Sequence, residues 1–267
     1  MTMNWMPRTT TTQTARPGNP WLAYHRPQEA ARIRLFCFPY AGGGASLYRT
    51  WAQGLPPQVE VCPVQLPGRE NRIREEPFRR MEALVEALAA GLAPLLDRPF
   101  AFFGHSMGSL IAFELTRHLV RERGLSPAHL FVSGHRAPQI PPQDEPIHPL
   151  PDEEFLAKVF ELNGTPEEVR TDPELRALFL PILRADFELC ETYGYQEAAP
   201  LPCPISAFGG LGDSHVPRED LQAWQEQSQG RFVLRMLPGD HFFLTSAEPL
   251  LLRTLGQELY TIARKQP

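Results

Sequence analysis

Cysteine is scarce in this chain: Cys37, Cys62, Cys190 and Cys203 are the 4 among 267 residues, and no two form a C-x-x-C pair. A disulfide scaffold is thereby excluded, and the cysteines read as small buried hydrophobes in a reducing, cytoplasmic compartment. Histidines and cysteines lack ligand spacing, so no metal centre is expected. No apolar run approaches the roughly 20 residues of a bilayer span, and the N-terminus has no charged-then-apolar export pattern. Lysine and arginine number 26 against 31 aspartates and glutamates, a net charge of −5. No global basic field therefore invites nucleic acid. There is no G-K-[ST], and no G-x-G-x-x-G opening a helix, which argues against a nucleotide site. Internal repeats are also missing.

What is present suits one large domain. Hydrophobic residues make up 42% of the chain, enough for a sizeable core, and 29 prolines suggest many ordered loops. Short apolar runs at residues 33–38, 59–64, 100–103, 129–133, 205–208 and 232–237 read as strands. Helical patterns lie between and after them, at about 81–96, 109–123, 218–227 and 247–263. Such alternation predicts an α/β fold with a mostly parallel sheet and helices on both faces. Residues 1–20, rich in Thr, Arg, Pro and Gly, are expected to lack fixed structure. Residues 21–267 would then form a single domain. Between about 138 and 200 no strand is convincing. This stretch opens with dense proline and continues with helical patches near 152–162 and 173–191. It is expected to form a helical lid, or else a layer that merely packs on the sheet.

The strongest motif is Gly104-His105-Ser106-Met107-Gly108, a G-x-S-x-G between an apolar strand and an amphipathic helix. A serine on such a strand-to-helix turn resembles the nucleophile elbow of the α/β-hydrolases. Glycine at both flanks suits a turn too sharp for side chains. A serine hydroxyl is a weak nucleophile at neutral pH and needs a base and a group to orient that base. His241, in the turn Pro238-Gly239-Asp240-His241 after the last strand, fits the base, with His215 as rival. Asp213, after the strand 205–208, fits the acid, with Asp240 as competitor. Developing negative charge needs two backbone donors. One is the Met107 N–H; the other belongs to the loop Pro39-Tyr40-Ala41-Gly42-Gly43-Gly44 after the first strand.

Five stretches in this order carry a more specific resemblance: Phe38 to Gly43, Leu66-Pro67-Gly68-Arg69-Glu70, Pro99 to Gly108, Gly209-Gly210 with Asp213, and Pro238 to Phe243. Together they resemble the type II thioesterases, free-standing α/β-hydrolases that serve nonribosomal peptide, polyketide and fatty-acid synthases. That resemblance implies hydrolysis of acyl or aminoacyl thioesters on the phosphopantetheine arm of a carrier protein, with no cofactor of the enzyme's own. It implies Ser106 as nucleophile, His241 as general base and acid, Asp213 as its orienter, and the Ala41 and Met107 amides as oxyanion donors. Tyr40, Phe187 and Phe242 become candidates for the acyl chamber and lid. The partners implied are acyl or peptidyl carrier domains, approached by a monomer. Position 240 departs from the family, which usually has glycine before the histidine.

Arg69, Arg72, Arg74, Arg79 and Arg80 form a basic cluster that could dock an acidic carrier. The alternative is a solvated face paired with Glu70, Glu75, Glu76 and Glu82; Arg72, Arg74 and Arg79 are the docking candidates. Other functions remain open at this point: a medium-chain fatty acyl-carrier-protein hydrolase, a general carboxylesterase, or a non-catalytic interaction protein on a hydrolase scaffold.

Overall fold

A computed structural model describes residues 19–162, 164 and 167–265. The tail expected over 1–20 lies outside the described residues up to position 18. At its end the chain is already anchored, since Asn19 donates to the Gly91 carbonyl and Leu22 bridges to Val64.

Six strands form one sheet: β1 (Ile33–Phe38), β2 (Val59–Pro63), β3 (Phe100–His105), β4 (His129–Ser133), β5 (Ile205–Gly210) and β6 (Phe232–Leu237). Their spatial order is β2-β1-β3-β4-β5-β6, and every pairing is parallel. Parallel strands need crossover connections, and α1 (Met81–Leu92), α2 (Met107–Arg123) and α6 (Arg218–Gln222) lie in three of them; the C-terminal α8 (Glu248–Lys265) follows β6. A four-residue α7 (Phe243–Ser246) precedes α8.

Side-chain alternation divides the core in two. Phe36, Phe38, Phe102, Leu130 and Val132 pack with α1, α2 and Trp224. Ile33, Leu35, Cys37, Phe103 and Phe131 turn the other way, onto Tyr48, Trp51 and α8. Both faces are thus covered, which is why β1 to β5 are buried at every position. The edge strand β6 is mostly half-buried.

The segment between β4 and β5 holds α3 (Asp152–Glu161), α4 (Glu167–Thr171) and α5 (Pro173–Glu191). It has a small core of its own: Phe155, Leu156, Val159 and Leu183. The chain leaves β1 toward β2 and returns to the opposite side as β3. The C-terminal ends of β1 and β3 therefore flank a switch point, where open parallel sheets bind ligands.

Candidate active site

Ser106 sits between β3 and α2 with φ 51° and ψ −118°, a conformation costly for a residue bearing a side chain. Its surroundings hold it there. The Ser106 N–H donates to the Ser133 carbonyl at 2.7 Å, and its carbonyl accepts from the Ser109 N–H at 2.8 Å. The buried Ser109 hydroxyl lies 2.9 Å from the Gly104 carbonyl and 3.0 Å from that of Ser133, tying the turn to β4. The flanking glycines are required by contact. A Cβ on Gly104 would fall 2.0 Å from the Gly108 oxygen, and one on Gly108 would fall 2.2 Å from the Phe38 oxygen.

His105 points into the core, fully buried, with Nδ1 2.9 Å from the Ser133 hydroxyl. Burial drives its pKa well below the usual histidine value, and the nearby His241 adds to this. It is a neutral packing group beneath the elbow.

His241 and Asp213 meet: Nδ1 lies 2.8 Å from Oδ2. The Asp213 side chain is fully shielded from solvent. Burial by itself would raise its pKa. Hydrogen bonding from His241, its charge, and the His215 and Val216 N–H groups outweigh burial and hold the carboxyl below its ordinary range. The rival residues take other positions. His215 is exposed, and its backbone N–H donates to Asp213 at 2.9 Å. Asp240 is exposed and accepts from the Phe242 N–H at 2.9 Å, closing the turn that carries His241.

Met107 is buried as the first residue of α2, where a helical N–H has no partner one turn earlier. Ala41 lies in the loop after β1, beside Tyr40. The Tyr40 ring stands edge-on to Phe242 at 5.1 Å, and Phe242 stands edge-on to His241 at 5.1 Å. Tyr40 and Phe242 are therefore brought to the His241 side of the site. Phe187 is not brought there by its ring contact, which is edge-on to Phe155 at 5.6 Å in the core of the α3–α5 segment.

That segment reaches the site at three points. Gly164 lies so close to Phe242 that a Cβ would come 2.1 Å from its Cζ, and a Cβ on Gly42 would come 2.7 Å from Leu183 of α5. The third point is Asp186 of α5, whose Oδ2 accepts from the Gly42 N–H at 2.7 Å. Asp186 also receives both terminal nitrogens of Arg69, at 2.7 and 2.8 Å. Both partners are buried, so breaking the pair by removing one would cost about 3–5 kcal/mol. The reading of Arg69 as part of a surface cluster is thus corrected. It is 4% exposed, because bidentate pairing with an interior carboxylate lets a guanidinium enter the core. Asp186 had no flag in the sequence beyond its place in a helical patch.

The remaining arginines divide. Arg72 lies over the Trp21 ring and donates to Glu75 and to the Gln65 carbonyl. Arg79 and Arg80 pair with Glu188 of α5. Arg74 is exposed. Away from the site, ligand atoms of His25, Glu60 and Cys62 gather within 4.8 Å of one another. Glu60 there pairs with His25 at 2.6 Å, Arg34 at 3.3 Å and Arg98 at 3.6 Å, while burial drives the Cys62 thiol far up. Three basic side chains thus surround the buried Glu60 carboxylate.

The parallel sheet, the strained serine after β3 and the joined aspartate and histidine after β5 and β6 define an α/β-hydrolase. The chain matches the model of the thioesterase domain over residues 33–259. It is 47% identical over 241 residues to the gramicidin S biosynthesis protein GrsT of Aneurinibacillus migulanus, across 90% of this chain and 94% of that one. RedJ, a thioesterase from the prodiginine biosynthetic pathway in Streptomyces coelicolor, is 40% identical with a TM-score of 0.80, across 95% and 98% of the two chains. BorB, a type II thioesterase from the borrelidin biosynthetic cluster, is 37% identical with a TM-score of 0.81, across 90% and 97%. The chain belongs to the thioesterase family, among the type II thioesterases.

Proposed function

We propose that this protein hydrolyses acyl or aminoacyl thioesters from the phosphopantetheine arm of carrier domains, clearing blocked sites on a nonribosomal peptide or polyketide synthase. The observation that carries the reading is the 2.8 Å Asp213–His241 hydrogen bond, set across the sheet ends from a serine held in a strained turn. The relatives named above work in such pathways, which supports the substrate class.

In this reading Asp213 fixes the tautomer of His241, leaving Nε2 free to take the Ser106 proton. The serine oxygen attacks the thioester carbonyl. The Ala41 and Met107 amides receive the oxyanion, and collapse of the adduct releases the pantetheine thiol. Thiolate leaves readily, so this step needs less acid assistance than release of an amine. Water, losing a proton to His241, then attacks the acyl-serine and frees the acid. The steps need only these groups and water, with the pantetheine arriving on the partner.

The α3–α5 segment acts as the lid over the acyl chamber. Its contacts with Phe242 and Gly42 support this. Tyr40 and Phe242 form the chamber wall, and Phe187 acts indirectly, by shaping the lid. Arg74 and Arg79 are the candidates for carrier contact. In this reading the protein works as a monomer in the cytoplasm. Among the described residues no helix is long and apolar enough to cross a membrane.

The test is intact-protein mass spectrometry during turnover of an acyl-carrier protein, with wild type beside Ser106→Ala. An acyl adduct on Ser106 of the wild type, absent from the variant along with hydrolysis, is expected. Undiminished hydrolysis by Ser106→Ala would overturn the assignment.

A further inference from the structure

Four side chains hold the loop that follows β1. The Gly42 N–H donates to Asp186 at 2.7 Å, and the Gly43 carbonyl accepts from Arg69 at 3.1 Å. The Ala45 N–H donates to Gln65 at 3.0 Å. Glu70 accepts from the Ser46 N–H at 3.2 Å and its hydroxyl at 2.6 Å. Gln65, Arg69 and Glu70 all come from the stretch after β2. That stretch is bent to reach the loop, with Gly68 at φ 83° and Glu70 at φ 48°. Asp186 alone of the four comes from the α3–α5 segment, and it is 2% exposed.

We infer that Asp186 is a positioning residue: clamped by Arg69, it fixes the peptide beside Ala41 and so aims the Ala41 N–H at the reacting carbonyl oxygen. The inference rests on the proposed hydrolase mechanism, in which that amide is an oxyanion donor. It adds that the lid helix supplies part of the oxyanion hole's support. An oxyanion donor acts only within about 2.7–3.1 Å of its target. A misplacement of about 1 Å costs on the order of 100-fold in rate. The loop's own backbone bond from the Gly43 N–H to Tyr40 closes a turn, but leaves the Gly42 amide to Asp186.

Asp186→Asn is the sharp variant. Both Asp186 oxygens face donors, Arg69 on each and Gly42 on one. Turned either way, an amide NH2 would meet another donor. The expected result is a kcat lowered about 10- to 100-fold, on a carrier-bound thioester and on a p-nitrophenyl ester alike, with KM within about twofold. A trifluoromethyl ketone, which forms a tetrahedral oxyanion on serine, should lose affinity by a similar factor.

The double variant Arg69→Met/Asp186→Leu separates positioning from folding. Apolar partners of similar size often restore the stability lost with a buried ion pair. They cannot hold the Gly42 N–H, so kcat should stay low even where the melting temperature recovers. Folded Asp186→Asn with kcat within twofold of wild type would overturn the inference. So would recovery of kcat with stability in the double variant, or unchanged affinity for the ketone. Wild-type protein that cuts the oxygen ester but no carrier-bound thioester would overturn the proposed substrate instead. The ketone affinities of the same variants would still decide the role of Asp186.

Discussion

Asp213 Oδ2 and His241 Nδ1 lie 2.8 Å apart, joining residues 28 positions apart in sequence at the ends of neighbouring strands. Asp240, adjacent to His241, instead bonds to the Phe242 N–H. Asp213→Asn should therefore lower kcat by about 10³- to 10⁴-fold, by releasing the wrong tautomer of the base. Asp240→Asn should change it by no more than about twofold, as surface substitutions do. Steady-state kinetics on one thioester checks both, and the reverse ranking would move the acid to Asp240.

The elbow predicts a contrast between glycines. In Gly108→Ala the new Cβ meets the Phe38 backbone oxygen at 2.2 Å, and no side chain can yield to relieve it. A loss of about 3 kcal/mol is expected. Gly124, which ends α2 at φ 62°, has open space around it. Gly124→Ala should cost only the left-handed backbone penalty of about 1–2 kcal/mol. Urea unfolding of the two variants checks the order.

Most of the architecture was legible before the fold was known. Strands β1 and β4 end where their strand-like runs end, because strands buried on both faces need near-continuous apolar residues; the half-buried edge strand β6 also keeps the bounds of its run. The pairing of His241 with Asp213 was legible because each follows a strand at a turn. Residues 93–95 and 223–227, read as helix, are instead 3-10 turns following α1 and α6. The short α4 and α7 escaped notice because they have too few residues to show a period. Asp186 escaped for a different reason. An aspartate on an amphipathic helix reads as solvent-facing, and only the tertiary approach of Arg69 makes burial tolerable. Phe187, a candidate for the chamber or the lid, packs its ring within the segment's own core.

Two buried histidines predict how stability depends on pH. Burial pushes His129 down to about 4, with Glu258 opposing and Arg231 and Arg235 adding, and burial drives His105 well below its usual value. In the unfolded chain both titrate near about 6.5. Below that pH the unfolded state binds protons that the native state refuses, so stability falls as pH falls. Each histidine contributes a slope of up to about 1.4 kcal/mol per pH unit. For His129 the loss stops near pH 4, where the native state also protonates. Urea unfolding at pH 7.5, 6 and 5 should show the decline, and His129→Gln should make it shallower. An unchanged slope in that variant would contradict the account.

The arginines after β2 should separate docking from structure. Arg72 is tied to Trp21 and Glu75, whereas Arg74 is exposed. Arg74→Glu is expected to raise KM for a carrier-bound substrate several-fold, on the order of a rim charge, and to leave a small acyl-thioester analogue unaffected. Arg72→Glu should lower the melting temperature. Equal loss on both substrates in Arg74→Glu would remove it from the docking surface.

The bond cut in the proposed reaction is a carrier-bound thioester. The direct measurement is kcat/KM for one acyl group presented on a holo-carrier protein and as its p-nitrophenyl ester. The account predicts a clear preference for the carrier, lost in Ser106→Ala by about three or more orders of magnitude in kcat. Equal or faster hydrolysis of the p-nitrophenyl ester would contradict it and mark the protein as a general esterase.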